Sequence, residues 1–345
     1  MRFAVIGAGA IGRIHARLIS SMPERAELVA IVDVDQDRAG ALAAKTGGEP
    51  MSDLRAACAR EDVDAVSICL PSGDHADAAV LALRAGKHVL LEKPIDITLP
   101  AADRIIAVER ETGLTVGVIS QRRFQRAPAF VHEAIAAGRL GRITSGIAES
   151  AFWRSQEYYD SGGWRGTRAR DGGGALMNQG IHAVDLLVWM MGEPVGVQAS
   201  SGLLAHERID VEDTVAATVR FASGAIGSIL ATTSAYPGMS VRISVHGDRG
   251  SAVIEREELS YFHTVDGEKP GDDAEHNQAF PLGGPTGSRS IDEAHRDQYH
   301  DFIDAVRQGH RPMIGTSDAR RALELVLGVY ESARTGRPVA LNGGE

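Results

Sequence analysis

The sequence has few cysteines and no long hydrophobic run. Cys58 and Cys69 are its only two cysteines, and their spacing is unlike that of metal-binding cysteine pairs. We expect both to be buried free thiols in a reducing cytoplasm. No apolar stretch approaches the roughly 18 residues of a membrane-spanning helix, and the apolar segment 3–6 is too short for a signal peptide. These features predict a cytoplasmic protein.

Positive charge is also scarce. The chain has 36 lysines and arginines against 46 acidic residues, which gives a net charge of −10. Nucleic acids and anionic membranes bind basic surfaces, so we expect neither as a partner. A length of 345 residues exceeds one ordinary hydrophobic core and predicts two domains.

A glycine-rich motif follows the first apolar run. It reads Gly7-Ala8-Gly9-Ala10-Ile11-Gly12, and a helical pattern comes directly after it. Gly7 permits a tight turn, Gly9 allows close approach of a pyrophosphate, and Gly12 allows the helix to pack near the sheet. The start of that helix can bind phosphate through its free backbone amides. We expect a dinucleotide cofactor held by Gly7, Gly9, Ala10, Ile11 and Gly12.

An acidic residue ends the second apolar run. Asp33 follows residues 28–32 and lies roughly 20 residues after Gly12, the spacing at which an acid binds the adenosine ribose hydroxyls. The carboxylate would repel a 2′-phosphate, and no arginine occurs before Arg38 to offset this repulsion. We therefore expect NAD rather than NADP. The alternative is that Asp33 only caps a turn.

The alternation of elements changes near residue 121. Strand and helix patterns alternate up to this point, which predicts a Rossmann-type, doubly wound parallel sheet in an α/β fold. Beyond it, long alternating strand patterns predict an α+β domain with a large, mostly antiparallel open sheet. We place the domains at 1–121 and 122–345, with a loop over 266–290 and helices over 293–308 and 318–335. An open sheet with one uncovered face also predicts a homodimer or homotetramer.

Two further clusters carry groups suited to chemistry. Glu92-Lys93-Pro94 ends a strand at the edge where the cofactor is expected, and the proline holds Lys93 in an extended conformation. The segment 172–187 begins with three glycines, which we expect to form a flexible entry. A helix after them would put Asn178, His182 and Asp185 on one face. No metal is expected, because this cluster has too few ligands and no H-E-x-x-H spacing occurs.

Together these motifs resemble the Gfo/Idh/MocA family of oxidoreductases. The resemblance rests on the loop 7–12, on 92–94 and on the helix containing His182, and it extends over nearly the whole chain. It implies that Lys93 and His182 are catalytic residues beside the nicotinamide. The family commonly has an aspartate four residues before the histidine. Asn178 stands there in this chain, and it can orient a hydroxyl but cannot titrate.

The resemblance also implies the remaining site residues. Substrate contacts are expected from Asn178, Trp164 and Arg165. Contacts with the cofactor are expected from Pro71, Ser72, His75, Glu92, Lys93 and Gln121. For His75 the alternative is a structural residue at a helix start.

We expect an NAD-dependent dehydrogenase that acts on a secondary alcohol of a sugar, a cyclitol such as inositol, or a related polyol. His182 would be the acid or base, since its ordinary pKa near 6.5 suits that role, and Lys93 would polarise the oxygen. Two alternatives remain open: an NAD-dependent glycosidase that acts by transient oxidation and elimination, and a non-catalytic sensor of NAD or sugar.

Overall fold

The computed structural model describes residues 1–267 and 290–341. It contains two compact units, Met1–Ser120 with Asp292–Arg320, and Gln121–Ile291 with Arg321–Glu345. The predicted loop over 266–290 lies almost entirely outside the described residues. In the part of the chain that is described, no helix is both long enough and apolar enough to cross a bilayer.

The first unit contains a six-stranded parallel sheet. Its order is β3-β2-β1-β4-β5-β6, the strand order of a dinucleotide-binding fold. The central strands are apolar runs buried on both faces, as a parallel sheet requires. The strands are β1 (Arg2–Ile6), β2 (Glu27–Val32), β3 (Glu49–Met51), β4 (Ala65–Ile68), β5 (His88–Leu91) and β6 (Val116–Val118).

Five helices connect these strands. Short side chains cap three of them: Asp35 accepts a hydrogen bond from the Arg38 amide, Asp53 from the Arg55 amide, and Thr98 from the Ala101 amide. The helices are α1 (Ala10–Ser20), α2 (Gln36–Thr46), α3 (Leu54–Cys58), α4 (His75–Arg84) and α5 (Leu99–Thr112), with a 3₁₀ turn at Ser72–Asp74. Cys58 and Cys69 are buried free thiols.

A helix from the end of the chain completes the core of the first unit. Tyr299 and Phe302, both fully buried, pack against Phe3 with ring centroids 5.5 and 6.3 Å apart. They lie in a helix of residues 291–308, which the sequence assigned to the second domain. Its amphipathic pattern predicts a helix with one buried face, but the pattern does not indicate which sheet covers that face.

The second unit is built on an eight-stranded sheet in the order β13-β12-β11-β7-β10-β9-β8-β14. β10 and β7 are parallel, and the other neighbours are antiparallel. β12, β13 and the short β3 and β14 were not predicted from the sequence. The strands are β7 (Ile143–Ala151), β8 (Pro194–Gly202), β9 (Thr214–Phe221), β10 (Ile226–Thr232), β11 (Val241–Gly247), β12 (Gly250–Glu255), β13 (Glu258–Thr264) and β14 (Val339–Ala340).

Within residues 1–267 and 290–341, helices cover one face of this sheet. α8 packs on β7 and β11, and the side chains of β9 alternate between buried and exposed. The exposed face carries large apolar side chains at Ile147, Ile226, Leu230 and Tyr261. The remaining helices are α6 (Arg126–Ala136), α7 (Gln156–Asp160), α8 (Ile181–Met191), α9 (Ile291–Gln308) and α10 (Thr316–Thr335), with a 3₁₀ turn at Gln121–Phe124 and a π-helix at Ala175–Gly180.

Candidate functional site

The glycine loop has the geometry of a phosphate cradle. Gly7 has a φ of +100°, and a Cβ on it would lie 2.6 Å from the Cys69 carbonyl oxygen. A Cβ on Gly12 would lie 1.8 Å from the Gly7 oxygen, so neither position accepts a side chain. Gly9 caps α1 and has no atom within 4 Å of its missing Cβ. The open space lies at the helix N-terminus, with Ala10 and Ile11 as the first helical residues, and fits a pyrophosphate.

Asp33 is bonded to this loop. Its Oδ2 accepts the Ala8 amide at 2.8 Å and its Oδ1 accepts the Asp35 amide at 3.0 Å, so the turn that Asp33 caps is real. A carboxylate has about four lone-pair sites, so capacity for ribose hydroxyls remains. The guanidinium of Arg38, the first arginine after Asp33 in the sequence, lies 3.6 Å from Asp33 Oδ1.

His75 links two strand ends through both ring nitrogens. Nδ1 lies 2.8 Å from the Pro94 carbonyl oxygen and Nε2 lies 3.0 Å from the Leu70 carbonyl oxygen. The side chain is 1% exposed, and burial lowers its pKa. These contacts fix the His75 ring at the start of α4, and its predicted contact with the cofactor stays a prediction. Ser72 lies buried beside it, and Pro71 caps the 3₁₀ turn.

Glu92 holds the backbone of Lys93. Its Oε2 accepts the Lys93 amide at 3.0 Å, and its Oε1 lies 3.0 Å from His15 Nε2. Both Glu92 and His15 are buried, so the carboxylate lies within a hydrogen-bonded network inside the protein rather than on the surface. The Lys93–Pro94 peptide is cis, and Lys93 itself is partly exposed.

The other side of His15 contacts two hydroxyls. Nδ1 lies 2.8 Å from both Ser67 Oγ and Tyr299 OH, which also contact each other. One ligand atom each of His15, Glu92 and His295 lie within 4.8 Å of one another. The network thus joins α1, β4, α9 and the end of β5 beneath Lys93.

The pKa values of this network move in opposite directions. Burial by itself raises the pKa of Glu92, but the hydrogen bond and charge of His15, with Lys93 and His295, lower it to about 2. Burial by itself lowers the pKa of His15, but Cys69, Tyr299 and the hydrogen bond to Glu92 raise it well above 6.5. Both shifts favour the charged forms, the carboxylate of Glu92 and the imidazolium of His15.

Gln121 begins the second unit. Its side chain is 8% exposed, and its Oε1 is buried with no hydrogen-bond partner among the described residues. A buried acceptor without a donor costs free energy.

The glycine-rich segment 172–174 is tightly enclosed rather than flexible. A Cβ on Gly173 would lie 2.2 Å from Tyr330 OH, and one on Gly174 would lie 1.7 Å from the Glu212 carbonyl oxygen. The Glu212 carboxylate accepts the Gly174 and Leu176 amides and the Tyr330 hydroxyl. The expectation of a flexible entry is therefore wrong. Glycine is required here because other atoms approach the backbone closely.

The helix that carries Asn178 is also different from the prediction. Residues 175–180 form a π-helix, and the α-helix begins only at Ile181, just before His182. The i to i+4 spacing of Asn178 and His182 therefore crosses a junction between helix types, of a kind frequent at functional sites. Asp185 is bonded to Arg123 by two hydrogen bonds of 2.6 and 2.9 Å and is buried.

Asn178 lies beside a carboxylate that the sequence analysis missed. Its Nδ2 donates to Asp171 Oδ1 at 2.6 Å, and its Oδ1 accepts from Gln179 Nε2 at 3.2 Å. Asp171 is buried, and its Oδ2 accepts the Gly166 amide. An aspartate seven residues upstream has no sequence signal that links it to Asn178, whereas the contact in space is direct.

Trp164 and Arg165 belong to an aromatic and arginine cluster of the second unit. The Arg165 guanidinium lies 4.7 Å from the ring centre of Tyr158 and 5.4 Å from that of Trp164. Arg154 lies 5.2 Å from the same Tyr158 ring and donates to Gln179 Oε1 at 2.9 Å. The cluster thus connects through Gln179 to Asn178.

Two family models match the chain. Residues 1–120 match an oxidoreductase family with an NAD-binding Rossmann fold, and residues 129–253 match the GFO/IDH/MocA C-terminal domain. The chain belongs to the Gfo/Idh/MocA oxidoreductase family. The resemblance drawn from the motifs, the α/β fold with its open antiparallel sheet, and the NAD-binding domain are confirmed.

Several known proteins are similar to this chain over nearly its full length. Myo-inositol 2-dehydrogenase of Thermotoga maritima is 31% identical, with 99% of this chain and 98% of that protein covered. The WlbA dehydrogenase from Bordetella pertussis, solved with NADH and UDP-GlcNAcA, is 32% identical with a TM-score of 0.88 and 99% of both chains covered. Levoglucosan dehydrogenase, solved with NADH and levoglucosan, is 25% identical with a TM-score of 0.86 and 99% of both chains covered.

The predicted site residues of this family member fall in both units. Lys93 and the glycine loop belong to the first unit, whereas Gln121, Asn178 and His182 belong to the second. Their joint action stays a prediction. The sequence analysis missed His15, Asp171 and Glu212. His15 and Glu212 contact partners distant along the chain, whereas Asp171 contacts residues only five and seven positions away.

The buried pair makes stability depend on pH. Because the pKa of Glu92 is lowered on folding, Glu92 adds to the free energy of unfolding. That addition is fully present above the unfolded-state pKa of 4.5 and is lost as pH falls towards the folded-state pKa of about 2. Because the pKa of His15 is raised on folding, its addition to the free energy of unfolding is present below pH 6.5 and is lost as pH rises through the folded-state pKa. Glu92→Gln should therefore destabilise the chain most between about pH 4.5 and 6.5, by about 3 kcal/mol. Thermal unfolding at about pH 5.5 and 9 measures this, with the exposed Glu111→Gln as the control. An equal loss at both pH values would contradict the prediction.

Asp33 and Arg38 determine a second prediction, on cofactor choice. The wild-type protein should bind NAD more tightly than NADP, because the Asp33 carboxylate accepts from ribose and repels a 2′-phosphate. The double change Asp33→Ser with Val34→Arg should narrow or reverse this preference, by about 1–3 kcal/mol, since Arg38 already lies nearby. Titration of both cofactors measures it. Val34→Arg alone is the control, and equal affinity of the wild type for both cofactors would refute the account.

Proposed function

We propose that this protein oxidises a secondary alcohol of a sugar, cyclitol or related polyol, reversibly and with NAD. The observation that carries the proposal is the NAD-binding glycine loop in a chain whose full length matches dehydrogenases of such substrates. The named relatives act on inositol and levoglucosan, and one was solved with a nucleotide-linked sugar acid. The net charge of −10 supports a small-molecule substrate rather than a nucleic acid.

The cofactor would be held by residues of known conformation. The loop 7–12 offers backbone amides to the pyrophosphate, Asp33 offers carboxylate oxygens to the ribose, and Gln121 offers a buried acceptor. When bound, NAD supplies a nicotinamide ring that accepts a hydride. Glu92 and His75 would position Lys93 through its backbone, because Glu92 accepts the Lys93 amide and His75 contacts the Pro94 carbonyl.

The proton of the substrate hydroxyl requires a separate group. We assign His182 as the acid or base, because an imidazole titrates near neutral pH, and Lys93 as the cation that polarises the oxygen. Asn178 would orient a substrate hydroxyl, with its amide held by Asp171. Trp164 and Arg165 would line the substrate.

A substrate screen tests this function. Purified protein is mixed with NAD and a panel of inositols and sugars, and NADH is followed by its absorbance. A dehydrogenase accumulates NADH in proportion to substrate. A glycosidase that restores its cofactor would release sugar without net NADH, and a sensor would bind without turnover, so either of these results would refute the proposal.

Substitution of the two assigned catalytic residues should separate rate from binding. Lys93→Ala and His182→Ala should each lower kcat by about 10²- to 10⁴-fold, the usual contribution of acid–base groups. NAD affinity should change little, because neither residue is expected to hold the pyrophosphate or adenosine ribose. Asn178→Ala should mainly raise KM. The exposed residues Lys45 and His310, each changed to alanine, are controls. Losses below about tenfold in both variants would show that the proton is handled elsewhere.

We also propose that the exposed sheet face of the second unit forms a homo-oligomer. The face carries Ile147, Ile226, Leu230 and Tyr261, and an uncovered apolar sheet face favours self-association.

The buried free thiols Cys58 and Cys69 support a cytoplasmic setting, where thiols stay reduced.

Charges placed on this face should dissociate the oligomer. The wild type should sediment as a dimer or tetramer of the 36.6 kDa chain, and Ile147→Lys with Leu230→Lys should give the monomer, because burying unpaired charge is costly. Leu204→Lys, at an exposed loop position, is the control. A wild type that is monomeric at micromolar concentration would refute this proposal.

A further inference from the structure

We infer that Arg154 and Arg165 form an anion subsite, so that the substrate is a sugar or cyclitol bearing a carboxylate or phosphate group. The inference rests on the proposed function, whose substrate class it narrows. It starts from two guanidinium groups that approach one aromatic ring, with Arg165 4.7 Å and Arg154 5.2 Å from the centre of Tyr158.

The two arginines have no carboxylate partner within residues 1–267 and 290–341. Arg154 donates to the Trp153 carbonyl and to Gln179, and Arg165 donates to the Ser161 hydroxyl. Arg208, by contrast, pairs with Asp160 at 2.7 Å. In a chain where acidic residues outnumber basic ones by 46 to 36, two adjacent cations without an acidic neighbour are unusual.

Partial burial of the two guanidinium groups strengthens their attraction for an anionic ligand. Both arginines are only partly exposed, and the Nε atom of each is buried with no hydrogen-bond partner among the described residues. A partly desolvated cation gains more from a counter-charge than an exposed one does. Each guanidinium has five N–H donors, so most of them remain available for the two oxygens of a carboxylate or phosphate.

The cluster adjoins the predicted substrate residues. Arg154 donates to Gln179 Oε1 at 2.9 Å, and Gln179 Nε2 donates to Asn178 Oδ1 at 3.2 Å. An anion held by the arginines would thus belong to the same molecule whose hydroxyl Asn178 orients. Tyr158 lies at cation–π distance from both guanidinium groups, and Trp164 from that of Arg165.

Matched pairs of substrates test the inference. Initial rates with NAD are measured for glucose against glucuronate and glucose 6-phosphate, and for myo-inositol against its monophosphate. We expect kcat/KM to be at least about tenfold higher for an anionic member of a pair than for the neutral one. The glucuronate and phosphate arms distinguish the two anions. Calorimetric titration of the same compounds onto NADH-bound protein gives a readout without turnover.

Variants assign the preference to these side chains. Arg154→Gln and Arg165→Gln together should reduce the anionic preference to within about threefold, mainly through a higher KM for the anionic substrates. Arg154→Lys with Arg165→Lys should restore part of it, because charge is kept but the planar fork is lost. Arg208→Gln, which removes a nearby paired arginine, should leave the preference unchanged.

Three results would overturn the inference. They are equal use of neutral and anionic members, an equal effect of Arg208→Gln, and no binding of any anionic compound. If no sugar or cyclitol of either charge reduces NAD, the proposed function fails as well. If only the neutral members reduce NAD, the function stands and the subsite does not.

Discussion

The first unit depends on one buried ion pair. Glu92 Oε1 lies 3.0 Å from His15 Nε2, and both side chains are almost fully buried. The other carboxylate oxygen of Glu92, Oε2, accepts a hydrogen bond from the Lys93 amide. The imidazole is held in turn by Ser67 and Tyr299. A buried charge without its partner is strongly destabilising, so each member requires the others. The conformation of the residue assigned to polarise the substrate is thereby tied to the protein interior.

The parts of the structure that the sequence predicts are those determined by local rules. The loop 7–12 and Asp33 follow from turn and helix geometry within one βαβ unit, and the parallel sheet follows from short apolar runs between helices. Strands such as β9 are recognisable because side chains alternate along them. Each of these signals lies within about 35 residues of chain, and the structure matches them closely.

The parts that the sequence does not predict depend on contacts between distant residues. His15 and Tyr299 are separated by 284 positions, and Glu212 meets Tyr330 across 118. No spacing rule connects such pairs. The same reason explains why α9 was assigned to the second domain, and why the glycines at 172–174 were interpreted as flexible when Glu212 and Tyr330 pack directly against them. His75 was recognised as a site candidate, but only the structure shows that two carbonyls hold its ring.

Asn178 shows how a departure from a family pattern is accommodated. The residue cannot titrate, yet it is bonded to the buried carboxylate of Asp171 and, through Gln179, to the arginine cluster. The second unit therefore provides an oriented amide and, among the described residues, two guanidinium groups without a carboxylate partner, linked through Gln179. We propose that these groups orient a hydroxyl and bind an anion, and that His182 transfers the proton.

The central claim is that hydrogen leaves a substrate carbon as hydride. It is tested most directly with a substrate deuterated at the carbon to be oxidised, by mass spectrometry of the reduced cofactor. The account predicts NADH that carries one deuterium per turnover, with a slower rate than for the protium substrate. NADH without deuterium, or deuterium found only in the solvent, would contradict it.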